Sequence, residues 1–219
     1  MLTLAIENSS PLSSIALMRG ARRLARQEFR PGRRGQEEIF GLIADTLRRQ
    51  GVEPEEIGRY VFGRGPGNYT GMRIALTLAQ GMALPGGDEL LAVSSGAALA
   101  ADLLSEDDVG RVAVFGDARR DSYWASVFDD DDGLPRPEFD WRLCSAAELC
   151  GMLKDVDLAA TSEFKRISAR NDMEREGFRR VIKEDRFPRA VKLAEIALKR
   201  AERGIEPEPL QPLYLHPPV

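Results

Sequence analysis

The chain has 219 residues, with 31 basic and 35 acidic side chains and a formal net charge of −4. Its hydrophobic fraction of 43% and charged fraction of 30% are typical of a globular protein and exclude a disordered or membrane-embedded class. The near balance of charge argues against a protein whose main surface binds nucleic acid, so we expect any RNA contact to depend on a partner.

Histidine and cysteine are scarce, which limits the available chemistry. The single histidine, His216, stands in a proline-rich stretch at the C-terminus, so we expect no histidine zinc site, Ser-His-Asp triad or Cys-His dyad. Cys144 and Cys150 match no metal-binding spacing and are predicted to be core thiols in a reducing compartment. Without a basic leader or an apolar run of about 20 residues, a cytoplasmic protein is expected.

The first half of the chain predicts the element order βββαβα, followed by one more strand and helix. Apolar or alternating runs predict strands at residues 2–6, 14–18, 21–29, 60–62 and 90–93. Helical periodicity predicts helices at residues 36–50, 70–84 and 95–104, with Gly51 ending the first of them.

The second half begins in the same way. Strands are predicted at residues 112–115, 123–128, 139–143 and 157–161. Ser145 and Glu148 have the spacing of a capping box that opens a helix to residue 153, and Pro188 opens a helix that stops at Gly204. Residues 162–187 are assigned only as irregular with some helix. The shared order in both halves predicts an α/β protein built from duplicated βββαβα units.

The densest local signal is the loop at residues 63–73, between a predicted strand and a predicted helix. Its motif residues are Gly65, Pro66, Gly67, Thr70 and Gly71. Glycines permit close backbone approach and the helix start offers free N–H groups, so an anion site is one interpretation. The spacing is neither a Walker A loop nor a dinucleotide fingerprint. The alternative is a tight loop, with Thr70 capping the helix and the glycines serving geometry alone.

The helix after this loop is apolar around nearly its whole circumference, which predicts burial on more than one side. Together with the preceding helix it could form half of a four-helix interface, and an ordinary internal helix pair is the alternative. The candidate interface residues are Ile39, Leu42, Ile43, Leu47, Met72, Arg73, Leu76 and Gln80.

One acid follows the first strand of each half, where carboxylates commonly position a metal or a water. These are Glu7 and Asp117, and the signal is weak because acidic residues are abundant. The run at residues 129–132 is expected to be a solvated turn, because the EF-hand pattern is missing. We therefore expect no metal and no cofactor.

Several of these segments resemble the bacterial TsaB (YeaZ) family. They are residues 4–9, 14–17, 63–74 and 79–84 in the first half, and residues 117–119, 123–125 and 212–215 in the second. The resemblance spans nearly the whole chain, and the central loop with its helix is the most specific part.

The resemblance implies a two-lobed actin-like, Hsp70-like and sugar-kinase-like (ASKHA, ribonuclease H-like) fold. The lobes would comprise residues 1–104, with the partner-binding helices, and residues 105–219, reduced and with a C-terminal segment returning to the core. It also implies a non-catalytic scaffold in the synthesis of N6-threonylcarbamoyladenosine in tRNA. That scaffold binds the transferase subunit TsaD, joined by the ATPase TsaE, and contacts tRNA only through the complex. The resemblance is compatible with a homodimer of the isolated protein, and it implies no membrane contact.

The chain departs from the family pattern at three places. Glu7-Asn8 replaces Asp-Thr at the end of the first strand, Asn68-Tyr69 replaces Ser-Phe in the central loop, and a histidine is missing at the start of the first helix. An alternative function is an ATP-dependent kinase or phosphohydrolase of the same fold. Such an enzyme needs two phosphate loops and an adenosine pocket, and only one glycine-rich loop is found. A metallopeptidase is a third possibility, but the sequence lacks the metal ligands that such an enzyme needs.

Overall fold

The computed structural model describes residues 1–32, 35–106, 108–168 and 180–215, with the backbone alone at residues 35–37. The chain groups into two compact units. The first comprises Met1–Ala98 and Pro188–Tyr214, and the second consists chiefly of Leu99–Phe187. His216 and much of the stretch at residues 162–187 lie outside the described residues.

The secondary structure alternates strands and helices along most of the chain. The strands in the described part are β1 (Leu2–Glu7), β2 (Ser13–Arg19), β3 (Arg22–Phe29), β4 (Ile57–Gly63), β5 (Glu89–Val93), β6 (Arg111–Arg119), β7 (Ser122–Asp131), β8 (Leu134–Pro137), β9 (Arg142–Cys144) and β10 (Leu158–Ala160). The α-helices there are α1 (Gly35–Gln50), α2 (Tyr69–Ala83), α3 (Ser95–Leu103), α4 (Ala146–Met152), α5 (Phe164–Ser168) and α6 (Ala190–Glu202), with a short 3₁₀ helix at Pro54–Glu56.

The first unit is built on a five-stranded sheet in the order β3-β2-β1-β4-β5. The two strands predicted at residues 2–6 and 14–18 form the antiparallel hairpin of β1 and β2, and β2 turns into β3 at Gly20, whose φ is +55°. Strands β4 and β5 run parallel to β1, because each is reached through a helix rather than a tight turn. The predicted order of the first half is confirmed.

Alternate residues of β1 face a core shared with the two helices that follow the hairpin. Leu2, Leu4 and Ile6 lie in one buried cluster with apolar residues of α1 and α2. Helix α6 packs on β1, β2, β4 and β5 without joining that cluster, so it covers the opposite face of the sheet. The Ala190 N–H at its start donates to the buried Ser14 hydroxyl (2.9 Å). Both faces of the central strands are thereby removed from water.

The second unit repeats the strand pattern of the first. Its sheet has the order β10-β6-β7-β8, with β9 pairing with β7. Strands β6 and β7 are antiparallel while β10 runs parallel to β6, as β1, β2 and β4 do in the first sheet. The duplication inferred from the order of elements is therefore present, and the predicted α/β class with two related units is confirmed.

Two details of the second half differ from the expectation. The acidic run at residues 129–132 is not only a turn, because β7 continues to Asp131 and the chain reverses at Asp132 and Gly133, which both have positive φ. The predicted strand at residues 139–143 is replaced by β8 and β9, which pair with the long β7 at different places. Local alternation cannot show where a partner strand ends. The capping box at Ser145 and Glu148 is present as predicted.

Candidate functional site

The glycine-rich loop between β4 and α2 packs directly against the turn that follows β1. The Asn68 N–H donates to the Ser9 carbonyl (2.7 Å), and the Asn8 side-chain amide donates to the Gly71 carbonyl (3.1 Å). A Cβ atom on Gly67 would lie 2.2 Å from the Ser9 carbonyl oxygen, and one on Gly71 would lie 1.8 Å from that of Asn8. Both glycines are therefore explained by close backbone contact.

The other end of the loop is held by the start of α3. The Gly65 N–H donates to the Ser95 hydroxyl (3.0 Å), while the Gly65 carbonyl accepts from the Ser95 N–H (2.8 Å) and the Ser94 hydroxyl (3.2 Å). Pro66 has no N–H to offer, and that of Asn68 is already used. These contacts favour the geometric interpretation of the loop over an anion site.

Helix α2 is capped by Asn68 rather than by the expected Thr70. The Asn68 carboxamide oxygen accepts from the Gly71 N–H (3.1 Å), and its carbonyl accepts from the Met72 N–H (3.0 Å). Thr70 is exposed and lies inside the first turn. Both residue types are good caps, so the outcome depends on where the loop leaves its contact with Ser9.

A C-terminal segment reinforces the same region. The Leu213 N–H donates to the Arg64 carbonyl (2.7 Å), and Arg64 Nε donates to the Gln211 carbonyl (3.1 Å). Glu208 forms ion pairs with Arg64 (3.4 Å) and Arg200 and accepts from the Ser94 N–H (3.1 Å). Arg64 at the start of the loop and Ser94 before α3 are thus tied to a segment more than 100 positions away in sequence.

Glu7 is buried beneath this loop. Its carboxylate oxygen Oε1 accepts from the Ser9 N–H (2.6 Å), whereas Oε2 has no hydrogen-bond partner among the described residues. A Cβ atom on Gly63 would lie 1.9 Å from Oε2, so the carboxyl group fills the space above that glycine. Burial raises the pKa of Glu7, which favours the neutral acid.

Asp117, the corresponding acid of the second half, forms an ion pair with an arginine side chain. Arg166 donates to its Oδ2 (2.6 Å), and the Arg119 N–H donates to Oδ1 (2.6 Å). The Asp117 side chain is only 6% exposed. Within the described ranges, no group of three or more His, Cys, Asp or Glu side chains is arranged to hold a metal ion.

The candidate interface residues on α1 and α2 fall into three groups. Ile39, Ile43, Leu47 and Met72 are buried in the interior of the first unit, Leu42 and Leu76 are half-buried, and Arg73 and Gln80 are exposed. Helical spacing identified the apolar residues but could not show which of them face the sheet.

Three large apolar side chains remain on the outer surface of these helices. Phe40 of α1 is 58% exposed, and Tyr69 and Leu84 at the two ends of α2 are 53% and 79% exposed. At 3.6 residues per turn, Tyr69, Arg73, Gln80 and Leu84 lie within about 60° of one another around α2. We call these four residues with Phe40 the outer stripe. A surface leucine or phenylalanine gives no sequence signal that separates it from a core residue.

Aromatic contacts order one end of the outer stripe. The rings of Tyr69 and Tyr214 are stacked with centroids 4.9 Å apart, and the Arg73 guanidinium lies 5.4 Å from the Tyr69 centroid. Burial raises the pKa of Tyr214, and its contact with Tyr69 adds to this. Arg73 also donates to the Tyr69 hydroxyl (3.2 Å). The Tyr69 ring is therefore presented in a fixed position at the surface.

Cys144 is buried, and this burial raises the pKa of its thiol to about 11. The thiolate is the reactive form, so this cysteine is unsuited to act as a nucleophile at neutral pH. No helix in the described portion of the chain has the length and apolar character needed to cross a membrane.

Comparison with known proteins gives a consistent result. A family model described as "TsaD: tRNA N6-adenosine threonylcarbamoyltransferase" matches residues 31–167, more than half of the chain. The Escherichia coli protein named "tRNA threonylcarbamoyladenosine biosynthesis protein TsaB" is 32% identical over 135 residues, which are 61% of this chain and 58% of that protein. This chain belongs to the family that this model describes, in its TsaB (YeaZ) group.

The other TsaB relatives agree with this assignment. The Bacillus subtilis TsaB is 29% identical over 157 residues, covering 72% of this chain and 68% of the relative. The match to the E. coli TsaB spans little more than half of that protein's length. The family model covers the whole glycine-rich loop, the whole outer stripe and most of the second unit.

Solved structures of YeaZ proteins share the fold over the full chain. "YeaZ from Pseudomonas aeruginosa" has a TM-score of 0.77 at 27% identity, covering 98% of this chain and 99% of that one. A structure described as an uncharacterized protein with similarity to peptidase YeaZ from P. aeruginosa has a TM-score of 0.82 at 26% identity, with the same coverage. The TsaB/YeaZ assignment thus holds for both units.

Proposed function

We propose that this chain is a non-catalytic subunit of the machinery that makes N6-threonylcarbamoyladenosine in tRNA, and that it binds a TsaD-type transferase subunit. Its curated relatives carry the name of a tRNA threonylcarbamoyladenosine biosynthesis protein, and the matching family model is that of the transferase. In this proposal a TsaE-type ATPase joins the assembly, tRNA is bound by the assembled complex, and the location is cytoplasmic.

The observation that carries the proposal is the outer stripe. Leu84, Phe40 and Tyr69 leave large apolar surfaces in water on two helices that pack against the same face of the first sheet. Such side chains gain free energy when a partner covers them, and aromatic residues are enriched at the centres of interfaces. Two helices of a related fold could pack on this surface to complete a four-helix interface.

The environments of two acids and one thiol also support a scaffold without catalytic activity. Glu7 is buried with a raised pKa, so it is poorly suited to hold Mg²⁺ as a carboxylate. Asp117 is paired with Arg166, and the Cys144 thiol has its pKa raised to about 11. Each of these groups is committed to the packing of its own unit.

The decisive experiment is size-exclusion chromatography of this chain with the TsaD-type subunit of the same organism at micromolar concentration. The wild-type chain should co-elute with that subunit. Leu84→Asp and Phe40→Asp should each weaken binding by at least about 30-fold, because a desolvated carboxylate replaces an apolar contact. Leu210→Asp is the matched control, since Leu210 is 50% exposed and lies outside both helices.

Separate peaks for the wild-type proteins would overturn the proposal, as would co-elution that is equally strong for all three variants. Calorimetry with Mg-ATP addresses the non-catalytic role. Tight nucleotide binding with turnover by the isolated chain would instead favour an ATP-dependent enzyme of the same fold.

A further inference from the structure

Charge is distributed very unevenly along this chain. Residues 19–30 contain five arginines and one glutamate, a net charge of +4, so the remaining residues carry −8. This basic segment covers the turn from β2 into β3 and all of β3, which is the outermost strand of the first sheet. The overall charge of −4 conceals a strongly basic edge.

Four of the five arginines in this segment share the same environment. Arg19, Arg22, Arg23 and Arg26 are all exposed, and none forms an ion pair within the described residues. We call these four residues the arginine edge. The single acid of the strand, Glu28, lies 3.8 Å from Arg189, so it is already partly neutralised by another cation.

The strand pairing brings these charges close together. Arg22 lies directly opposite Arg19 across the β2–β3 pair, and Arg23 and Arg26 lie opposite Met18 and Ala16 on the other face. Since Met18 and Ala16 are two residues apart, the latter two arginines are about 7 Å apart along the sheet. Like charges directly opposite one another destabilise a sheet, so the folded unit gains nothing from this arrangement.

A structural alternative is that charge protects β3 against edge-to-edge pairing. One or two charges are sufficient for that purpose, and an opposed arginine pair at the end of the strand adds repulsion without adding protection. The edge also carries no exposed large apolar side chain, since Leu24, Ala25 and Phe29 pack against the core. A membrane surface would usually require such an anchor.

We propose that the arginine edge binds the phosphate backbone of RNA, and that it places tRNA against the first unit. This proposal rests on the proposed function for the identity of the RNA. Arginine guanidinium groups bind phosphate through paired N–H donors, and such contacts position a nucleic acid without reading its sequence. An edge strand is accessible from its outer side, so long arginine side chains from both of its faces can contact a backbone that lies along this edge.

The test is fluorescence anisotropy of labelled tRNA titrated with the isolated chain at several salt concentrations, beginning at low ionic strength. The variant Arg22→Gln/Arg23→Gln/Arg26→Gln should bind at least about 10-fold more weakly at low salt. Its slope of log affinity against log salt should be smaller by about 2 to 3, because three phosphate contacts are lost. The corresponding triple lysine variant should keep most of the slope, since it keeps the charges.

The control variant is Arg48→Gln/Arg49→Gln/Arg136→Gln, which removes three charges from exposed positions elsewhere and should keep the wild-type slope. Thermal unfolding provides a second measurement: the arginine-edge variant should be at least as stable as the wild type. A loss of stability or aggregation of that variant would favour edge protection.

No binding of tRNA by the wild type, or equal salt slopes for the edge and control variants, would overturn the proposal. Edge-dependent binding to vesicles containing phosphatidylserine but not to tRNA would indicate a membrane contact and also overturn it. Because the isolated chain is used, these outcomes are separate from co-elution with the transferase subunit, which tests the proposed function.

Discussion

Replacing Gly71 by alanine should strongly destabilise the first unit. The new Cβ would lie 1.8 Å from the Asn8 carbonyl oxygen, whereas real Cβ atoms essentially never approach closer than 3.0 Å. The obstacle is backbone, so the loop and the β1–β2 turn must separate by more than an ångström. That movement breaks the contacts of Asn68 with Ser9 and of Asn8 with Gly71.

The magnitude follows from these two effects. Overpacking a close contact costs about 1–3 kcal/mol, and each lost hydrogen bond adds about 1 kcal/mol. We therefore expect Gly71→Ala to lower the free energy of unfolding by about 3–5 kcal/mol. For a chain of this length, each kcal/mol lowers Tm by about 2–4 °C. Urea unfolding followed by circular dichroism measures the free energy directly.

Gly81→Ala is the matched control because it makes the same chemical change in the same helix. A Cβ at Gly81 would meet nothing within 4 Å, and alanine is the better helix former by about 1 kcal/mol. This variant should therefore be slightly more stable than the wild type. Equal effects of the two substitutions would refute the assignment of Gly71 to a close backbone contact.

Three further predictions follow from single side chains. Burial raises the pKa of Glu7, so the stability that this side chain contributes is fully present below its pKa in the unfolded chain and is lost as pH rises through its pKa in the folded chain. In urea unfolding from pH 4 to 8, the stability of Glu7→Gln should therefore rise relative to that of the wild type by up to about 1.4 kcal/mol per pH unit between these two pKa values. Parallel stability curves for the two proteins would contradict this prediction. Asn68→Ala should cost about 1 kcal/mol in the same assay while Thr70→Ala costs much less, and the reverse order would restore Thr70 as the cap. At pH 8 a thiol reagent should label the half-buried Cys150 before Cys144, because burial and a pKa of about 11 protect the Cys144 thiol until the protein unfolds. Equal labelling rates of the two cysteines in the native protein would contradict the described burial.

The sequence predicted those features that depend on neighbouring residues. Alternation of apolar residues identified β1, and the spacing of Ser145 and Glu148 identified the start of α4, because strand faces and helix caps are local. The repeated order of elements then indicated two related α/β units, which the matching strand orders of the two sheets confirm. The glycine-rich loop was identified correctly as a feature, although its capping residue was not.

Features that depend on distant residues could not be predicted in this way. The sequence of α2 is apolar around nearly its whole circumference, and only packing against β4 shows that Ala75 and Ala79 face inward while Leu84 faces water. Likewise, α6 follows the second sheet in the chain but packs on the first. Nothing local to α6 could specify this, because its apolar stripe fits either sheet.

By itself the amino-acid sequence determined the class of fold, the approximate positions of most strands and helices, and the shortage of histidine that limits its chemistry. Only the tertiary structure decided that Glu7 is buried under the loop, and that Arg19 and Arg22 face each other at an edge. It also distinguished the exposed Phe40 from the buried Ile39 beside it. The physical reason is that burial and strand pairing depend on residues far apart in the chain, whereas periodicity and capping depend on neighbours.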